Sequence, residues 1–157
     1  MSFTLHDASL DDAALVTSLI HQSFEEYRDT LYPPSGSHKE TAETIAAKMQ
    51  KGGAILARCD EQWAGTVLYY PDEDSGLMYL GRLAILPAFR RRGLARALSL
   101  AVEDKAHAAG LPGLTLGVRV ALEGNQQLFE SLGYRITAGE RHPGMDYVTF
   151  YTMQKVW

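Results

Sequence analysis

Apolar and polar residues alternate along Phe3 to Ala8, a period of two that predicts a first strand. Ser9, followed by Asp11 and Asp12, marks a helix start with acids in its first turn. Leu15, Val16, Leu19, Ile20, Ser23 and Tyr27 then share one face at helical spacing, which predicts an amphipathic helix over 11–28. Pro33-Pro34-Ser35-Gly36-Ser37 breaks the chain, and a second helix over Lys39 to Gln50 ends at the cap signal Gly52-Gly53. Ala54–Arg58 and Trp63–Tyr70 are short apolar runs around Cys59-Asp60-Glu61-Gln62, the pattern of an antiparallel hairpin. Leu77–Leu86 is a third extended run, stopped by Pro87. A helix over Gly93 to Ala109 follows, with Leu94, Leu98, Ala101 and Val102 as its buried stripe and Gly110 and Pro112 closing it. Leu114–Val120 is a strand by composition, Asn125–Leu132 a short helix ended by Gly133, and Tyr134–Thr137 and Tyr147–Met153 the last two strands.

The order β, α, α, β, β, β, α, β, α, β, β has no internal repeat, low-complexity stretch or dividing linker, so 1–157 reads as a single α/β domain with a mixed sheet. Strand 77–86, helix 93–109 and strand 114–120 form one crossover unit within it. At 157 residues and 46% hydrophobic, the chain can bury a core of its own. Its formal charge of −4 argues against a surface built along nucleic acid, so the basic cluster Arg90-Arg91-Arg92 with Arg96 needs a local explanation. Cys59, the only cysteine, excludes an intrachain disulfide and reads as a buried strand residue. With no apolar signal core and no membrane-length apolar run, a cytoplasmic protein without a membrane partner is expected.

The chemistry concentrates in Leu83-Ala84-Ile85-Leu86-Pro87-Ala88-Phe89-Arg90-Arg91-Arg92-Gly93-Leu94-Ala95-Arg96: a strand, a proline stop, then a basic glycine turn opening a helix. Free N–H groups and the positive dipole end at a helix start suit a pyrophosphate, and Gly93 and Ala95 keep side chains out of its way. Neither G-x-x-x-x-G-K-[ST] nor G-x-G-x-x-G is present. Arg90-x-x-Gly93-x-Ala95 instead resembles the R/Q-x-x-G-x-G/A signature of the GNAT acyltransferases. Asn125-Gln126-Gln127-Leu128-Phe129-Glu130-Ser131-Leu132-Gly133-Tyr134 resembles the family's second landmark, and Asn125 shares a helical face with Leu128, Phe129 and Leu132.

The resemblance implies a GNAT-like, mixed, mostly antiparallel sheet with splayed central strands flanked by helices. It implies acetyl-CoA as the coenzyme A thioester, gripped by Arg90, Arg91, Arg92, Gly93, Leu94, Ala95 and Arg96, with Asn125 and Phe129 facing it. By the same likeness, the backbone of Leu83 and Ile85 pairs with the pantetheine arm and an N–H near Ala84 serves the oxyanion. The implied reaction moves an acetyl group by direct attack to a primary amine of a small molecule or peptide. Many members carry a tyrosine where Phe129 stands, and strand 77–86 carries no carboxylate, so a non-catalytic acyl-CoA-binding or sensor module stays open as an alternative.

Helical position makes Glu26 the candidate base, with Tyr27 and Tyr32 as candidate linings of the amine site. His142, in the Pro/Gly loop before the last strand, is a second catalytic candidate. The five histidines lack metal-ligand spacing, so no metal is expected. The apolar last strand, with Trp157 near its end, offers a second copy an edge for a homodimer.

Overall fold

Strands buried on both faces lose the polar alternation of a half-solvated sheet, and the chain's middle has that character. In the computed structural model, which describes residues 2–157, Gly53–Cys59 (β2) and Gln62–Pro71 (β3) are buried at most positions. Phe3–Asp7 (β1) precedes them and Met78–Ile85 (β4), Gly113–Arg119 (β5), Arg135–Glu140 (β6) and Phe150–Val156 (β7) follow. The helices are Ala13–Phe24 (α1), Ala42–Lys51 (α2), Leu94–Ala108 (α3) and Glu123–Ser131 (α4). All seven strands described form one sheet in the order β1-β2-β3-β4-β5-β7-β6, antiparallel throughout except for β4 beside β5. The expected element order and mixed, mostly antiparallel α/β architecture hold. None of the described helices is long and apolar enough to cross a membrane.

Two cores follow from this layering. On one face, Leu94, Leu98, Val102 and Ala106 of α3 pack with Phe129 and Leu132 against Met78, Leu80, Leu114, Leu116 and Val118. On the other, Val16, Leu19 and Ile20 of α1 and Ile45 and Met49 of α2 pack against Ala54, Leu56, Leu68 and Ala84. Cys59 is buried at the end of β2, as expected of a strand residue.

Element ends differ from the pattern where local hydrogen bonds decide them. The expected helix over 11–28 is α-helical only from Ala13 to Phe24, flanked by single 3₁₀ turns at Leu10–Asp12 and Glu25–Tyr27. The closing turn tightens to an Arg28 N–H bond on the Glu25 carbonyl, 3.2 Å. Helix α2 begins at Ala42, where Thr41 and Thr44 cap each other reciprocally, N–H to Oγ1 at 2.8 and 3.2 Å. The last strand is shifted by three residues: Tyr147 and Val148 are exposed, while Gln154 donates to Thr115 Oγ1 at 3.2 Å and Lys155 to Glu103 at 2.9 Å. Polar residues therefore belong to β7 because each finds a partner. β7 also lies between β5 and β6, so it presents no edge to a second copy, and the expected route to a homodimer fails.

One polar cluster ties α2 to the sheet. Glu40, 5% exposed, accepts from Arg82 Nε at 2.8 Å and Thr44 Oγ1 at 2.7 Å, and pairs with Lys48. Burial alone would raise its carboxyl, but the bonds from Lys48, Arg82 and Thr44 prevail and hold it at about 2. A carboxyl whose pKa is lower folded than unfolded stabilises fully above the unfolded value, and that contribution disappears as pH falls towards the folded one. We expect Glu40→Gln to lower unfolding free energy at pH 7 by about 2 kcal/mol in urea titrations, by stranding two cations. The gap from wild type should narrow steadily between pH 5 and pH 3. A gap independent of pH would mean that the charge is not what stabilises.

Candidate functional site

Parallel strands β4 and β5 pair only at Met78–Leu114 and Tyr79–Thr115, and beyond those two pairs they part. Each remains held on its far edge, β4 by β3 as far as Gly65–Ile85 and β5 by β7 as far as Arg119–Phe150. The β3–β4 register slips between Thr66 and Leu68, opposite Arg82, whose φ of +51° is left-handed. Such a bulge bends a strand away from its neighbour. The parting opens a cavity of about 1040 Å³ walled by Leu80–Leu83 and Ile85 on one side and Leu116–Arg119 on the other.

At the mouth of this cleft the chain runs from β4 through Pro87–Phe89 into α3. Arg91 and Gly93 both take positive φ, +65° and +82°, and the first intrahelical bond is Ala97 N–H to the Gly93 carbonyl, 3.0 Å. The N–H groups of Leu94, Ala95 and Arg96 thus have no carbonyl within the helix to bond. A Cβ placed on Gly93 would meet nothing within 4 Å, so open space lies where an anion would approach. Arg91, Arg96, Leu94 and Ala95 all line the cavity.

The arginines of this turn divide by partner. Arg90 donates from Nε to the Ile85 carbonyl at 3.1 Å and from Nη2 to the Ser23 carbonyl at 3.0 Å, and it pairs with Glu26. It therefore fastens α1 to the end of β4, and its guanidinium is taken up in doing so. Arg92 lies over the Phe89 ring at 5.4 Å and reaches Asp60 at 3.8 Å, pointing to the β2–β3 hairpin and outside the cavity lining. Glu26 also lies outside the lining, its side chain 44% exposed. Arg90 lines the cavity as well as making these bonds, whereas Arg92 and Glu26, expected as a ligand and a base, stand outside its lining, each paired with another side chain.

Leu83 and Ile85 line the cleft, whereas Ala84 is buried against the α1 side. Phe129, 4% exposed, lines the cavity while packing edge-on against Tyr134, ring centroids 5.4 Å apart. Asn125 lines the cavity but is exposed, two residues inside a helix that begins at Glu123 without a side-chain cap. Tyr27 lines it beside Phe24; Tyr32, 74% exposed, does not. His142 lines it too, with its backbone N–H on Thr149 Oγ1 at 3.0 Å, its Nδ1 at the same hydroxyl, and its ring edge-to-face with Phe150. Burial first, and Arg119 second, lower the His142 imidazole below its ordinary value.

Sequence reasoning missed Arg82, Arg119, Tyr79 and Phe150, all of which line the cavity. Arg82 and Arg119 each carried a signal, a charge inside an expected strand run.

A split sheet with a helix N-terminus beside the split defines the class: an α/β domain with room for an elongated, phosphate-bearing ligand between two strands. The sequence model of the acetyltransferase (GNAT) family matches residues 17–134, and the chain belongs to that family. No curated protein sequence matches this chain. A GNAT-family acetyltransferase from Streptococcus pneumoniae has a similar structure, TM-score 0.76 at 22% identity, over 99% of each chain. The PaiA N-acetyltransferase from Thermoplasma acidophilum, solved with coenzyme A, gives 0.79 at 16% identity over 100% of each. YncA, a putative acetyltransferase from Salmonella typhimurium solved with acetyl-CoA, gives 0.78 at 17% identity, over 99% of this chain and 94% of the other. At these identities the likeness is one of fold.

Gly93→Val would put a β-branched side chain at φ +82° and into the open space before the helix. We expect calorimetry to find acetyl-CoA affinity reduced at least tenfold in the folded variant. Unchanged affinity would remove the helix start from the binding site.

Proposed function

We propose that the protein transfers an acetyl group from acetyl-CoA to a primary amine by direct attack in a ternary complex. The observation that carries this reading is the cleft where β4 and β5 part, whose lining runs from the α3 N-terminus to Tyr27 beside the end of α1 and to His142. Acetyl-CoA supplies the activated carbonyl and a thiolate leaving group. The coenzyme A forms of the structural neighbours, and the fit of the α3 turn to a diphosphate, support its placement here. In this reading Arg91, Arg96 and the N–H groups of Leu94, Ala95 and Arg96 hold the diphosphate, Leu83 and Ile85 offer backbone to the pantetheine arm, and Asn125 and Phe129 border it.

An alkylamine near pH 7 is almost wholly ammonium, so attack needs a proton acceptor. His142 takes that role in the tautomer whose Nδ1–H donates to Thr149 Oγ1, which leaves Nε2 to accept. Its lowered pKa keeps it neutral at physiological pH, so the base is already formed there. The ammonium first gives one proton to His142, which passes it on to solvent; the neutral amine nitrogen then bonds the carbonyl carbon, the carbon–sulfur bond breaks, coenzyme A leaves as thiolate, and the second nitrogen proton passes to His142. A thiol of pKa about 8.5 departs as its anion at pH 7 for about 2 kcal/mol, so Phe129 in place of a tyrosine acid does not stop turnover.

Thiol release across an amine panel tests the reaction. We expect His142→Gln to lower turnover by about a hundredfold with acetyl-CoA affinity intact, and an unaffected rate would remove His142 from the chemistry. Phe129→Tyr should gain less than about tenfold in the same assay. Inert wild type beside an active Phe129→Tyr would favour a binding module instead.

A further inference from the structure

Side chains alternate across a strand, and β5 shows which of its residues face which ligand. Leu114, Leu116 and Val118 point into the core beneath α3, so Arg119 points to the opposite face, towards α1 and α2. There its Nη2 donates to the Pro34 carbonyl at 3.2 Å, and no carboxylate among the described residues pairs with it. A guanidinium carries five donors, and this one is only part-exposed. Burial, and then the charge of nearby Arg82, weigh against its ionised form, so an anion beside it would be stabilising.

Nothing in the protein supplies that anion. Glu40, the nearest buried carboxylate on this face, is taken by Arg82 and Lys48. No Asp or Glu lines the cavity, which makes it a poor site for an acceptor with a second positive charge. Around the two arginines stand Tyr27, Leu31, Tyr79 and Phe150, an apolar and aromatic setting. The diphosphate turn is across the sheet, so its phosphates are not what Arg119 awaits.

We propose that the acceptor is a small amino acid whose free carboxylate is received by Arg119, with an apolar side chain against the aromatic wall. This rests on the acetyl-transfer reading above. The carboxylate undergoes no bond change: the nitrogen–carbon bond forms, the carbon–sulfur bond breaks, and the amine proton leaves through His142. A guanidinium fork matches the two carboxylate oxygens in a way that a neutral amide does not.

The test pairs each acid with its primary amide: phenylalanine, tyrosine, methionine, leucine and 4-aminobutyrate, all with acetyl-CoA. We expect at least one acid to be acetylated with kcat/KM tenfold or more above its amide, the difference lying in KM, although the α-amides present more neutral amine. Arg119→Gln should bring that ratio close to one, and Arg119→Lys should restore part of it. Amines acetylated without preference for the acid, or a preference that survives Arg119→Gln, would overturn the proposal. A second measurement needs no turnover: calorimetry of N-acetyl-L-phenylalanine and its amide with the wild-type protein saturated with coenzyme A. Tenfold tighter binding of the acid supports the carboxylate site even if every amine is inert, in which case the transfer reading alone fails. Equal binding of acid and amide, in a protein that also shows no acid preference in turnover, overturns the site itself.

Discussion

Backbone N–H and C=O groups inside a covered sheet must find partners, and strands that part within it lose theirs on one edge. Strands β4 and β5 part after two residue pairs, and this constraint organises the rest of the molecule. Fraying is prevented because each strand is laddered to a neighbour on its outer edge. The opening is therefore a rigid slot whose inner edges are backbone, suited to an extended ligand that can take up strand-like bonds. Keeping it open falls to side chains. The bulge at Arg82 turns β4 aside, and Glu40 grips that arginine from the α2 side. Further along, Arg90 fastens the Ile85 carbonyl to the Ser23 carbonyl and Glu26 at the end of α1.

This division of labour explains why a chain with formal charge −4 places arginine after arginine around one cavity. Arg82, Arg90 and Arg92 are structural, each paired with a carboxylate of its own chain. Arg91, Arg96 and Arg119 line the cavity beside Arg82 and Arg90, but without an ion pair to a carboxylate among the described residues. No Asp or Glu lines the cavity, so a chain of net negative charge carries a basic interior there.

The element order was legible because both faces of the sheet are covered and its helices are amphipathic, which leaves strong periodicities. Boundaries were less so. Thr44 in place of the glutamate of a capping box hid the start of α2, and Gln154 and Lys155 looked unlike strand residues until their partners Thr115 and Glu103 were known. The phosphate side of the site was legible for a simple reason: strand, proline stop, turn and helix start are contiguous. The acceptor side was not, because Pro34, Arg82, Arg119 and His142 come from four separate segments that only the sheet brings together. The same limit hid the structural side of Arg90, whose neighbours in sequence suggested a phosphate while its neighbours in space also include Glu26 and two carbonyls.

The two faces also bear on how a group could cross the slot. Transfer through a covalent intermediate on the protein needs a nucleophile with an activating base beside it. Cys59 is buried at the far end of β2, outside the lining. Ser35 lines the cavity, but its hydroxyl is engaged by Ser37 at 2.8 Å. Ser23 also lines it, 1% exposed, with an Oγ that has no hydrogen-bond partner and therefore no base to activate it. What remains is a cavity lined by the α3 turn and by the His142 imidazole and an Arg119 guanidinium that no carboxylate among the described residues pairs with. Under the proposed reading, the two reactants would meet where β4 and β5 part, and direct attack between them would require no covalent step from the protein. Its contribution would then be to hold two reactants in line and accept a proton, a task that rigid strand edges perform better than mobile loops.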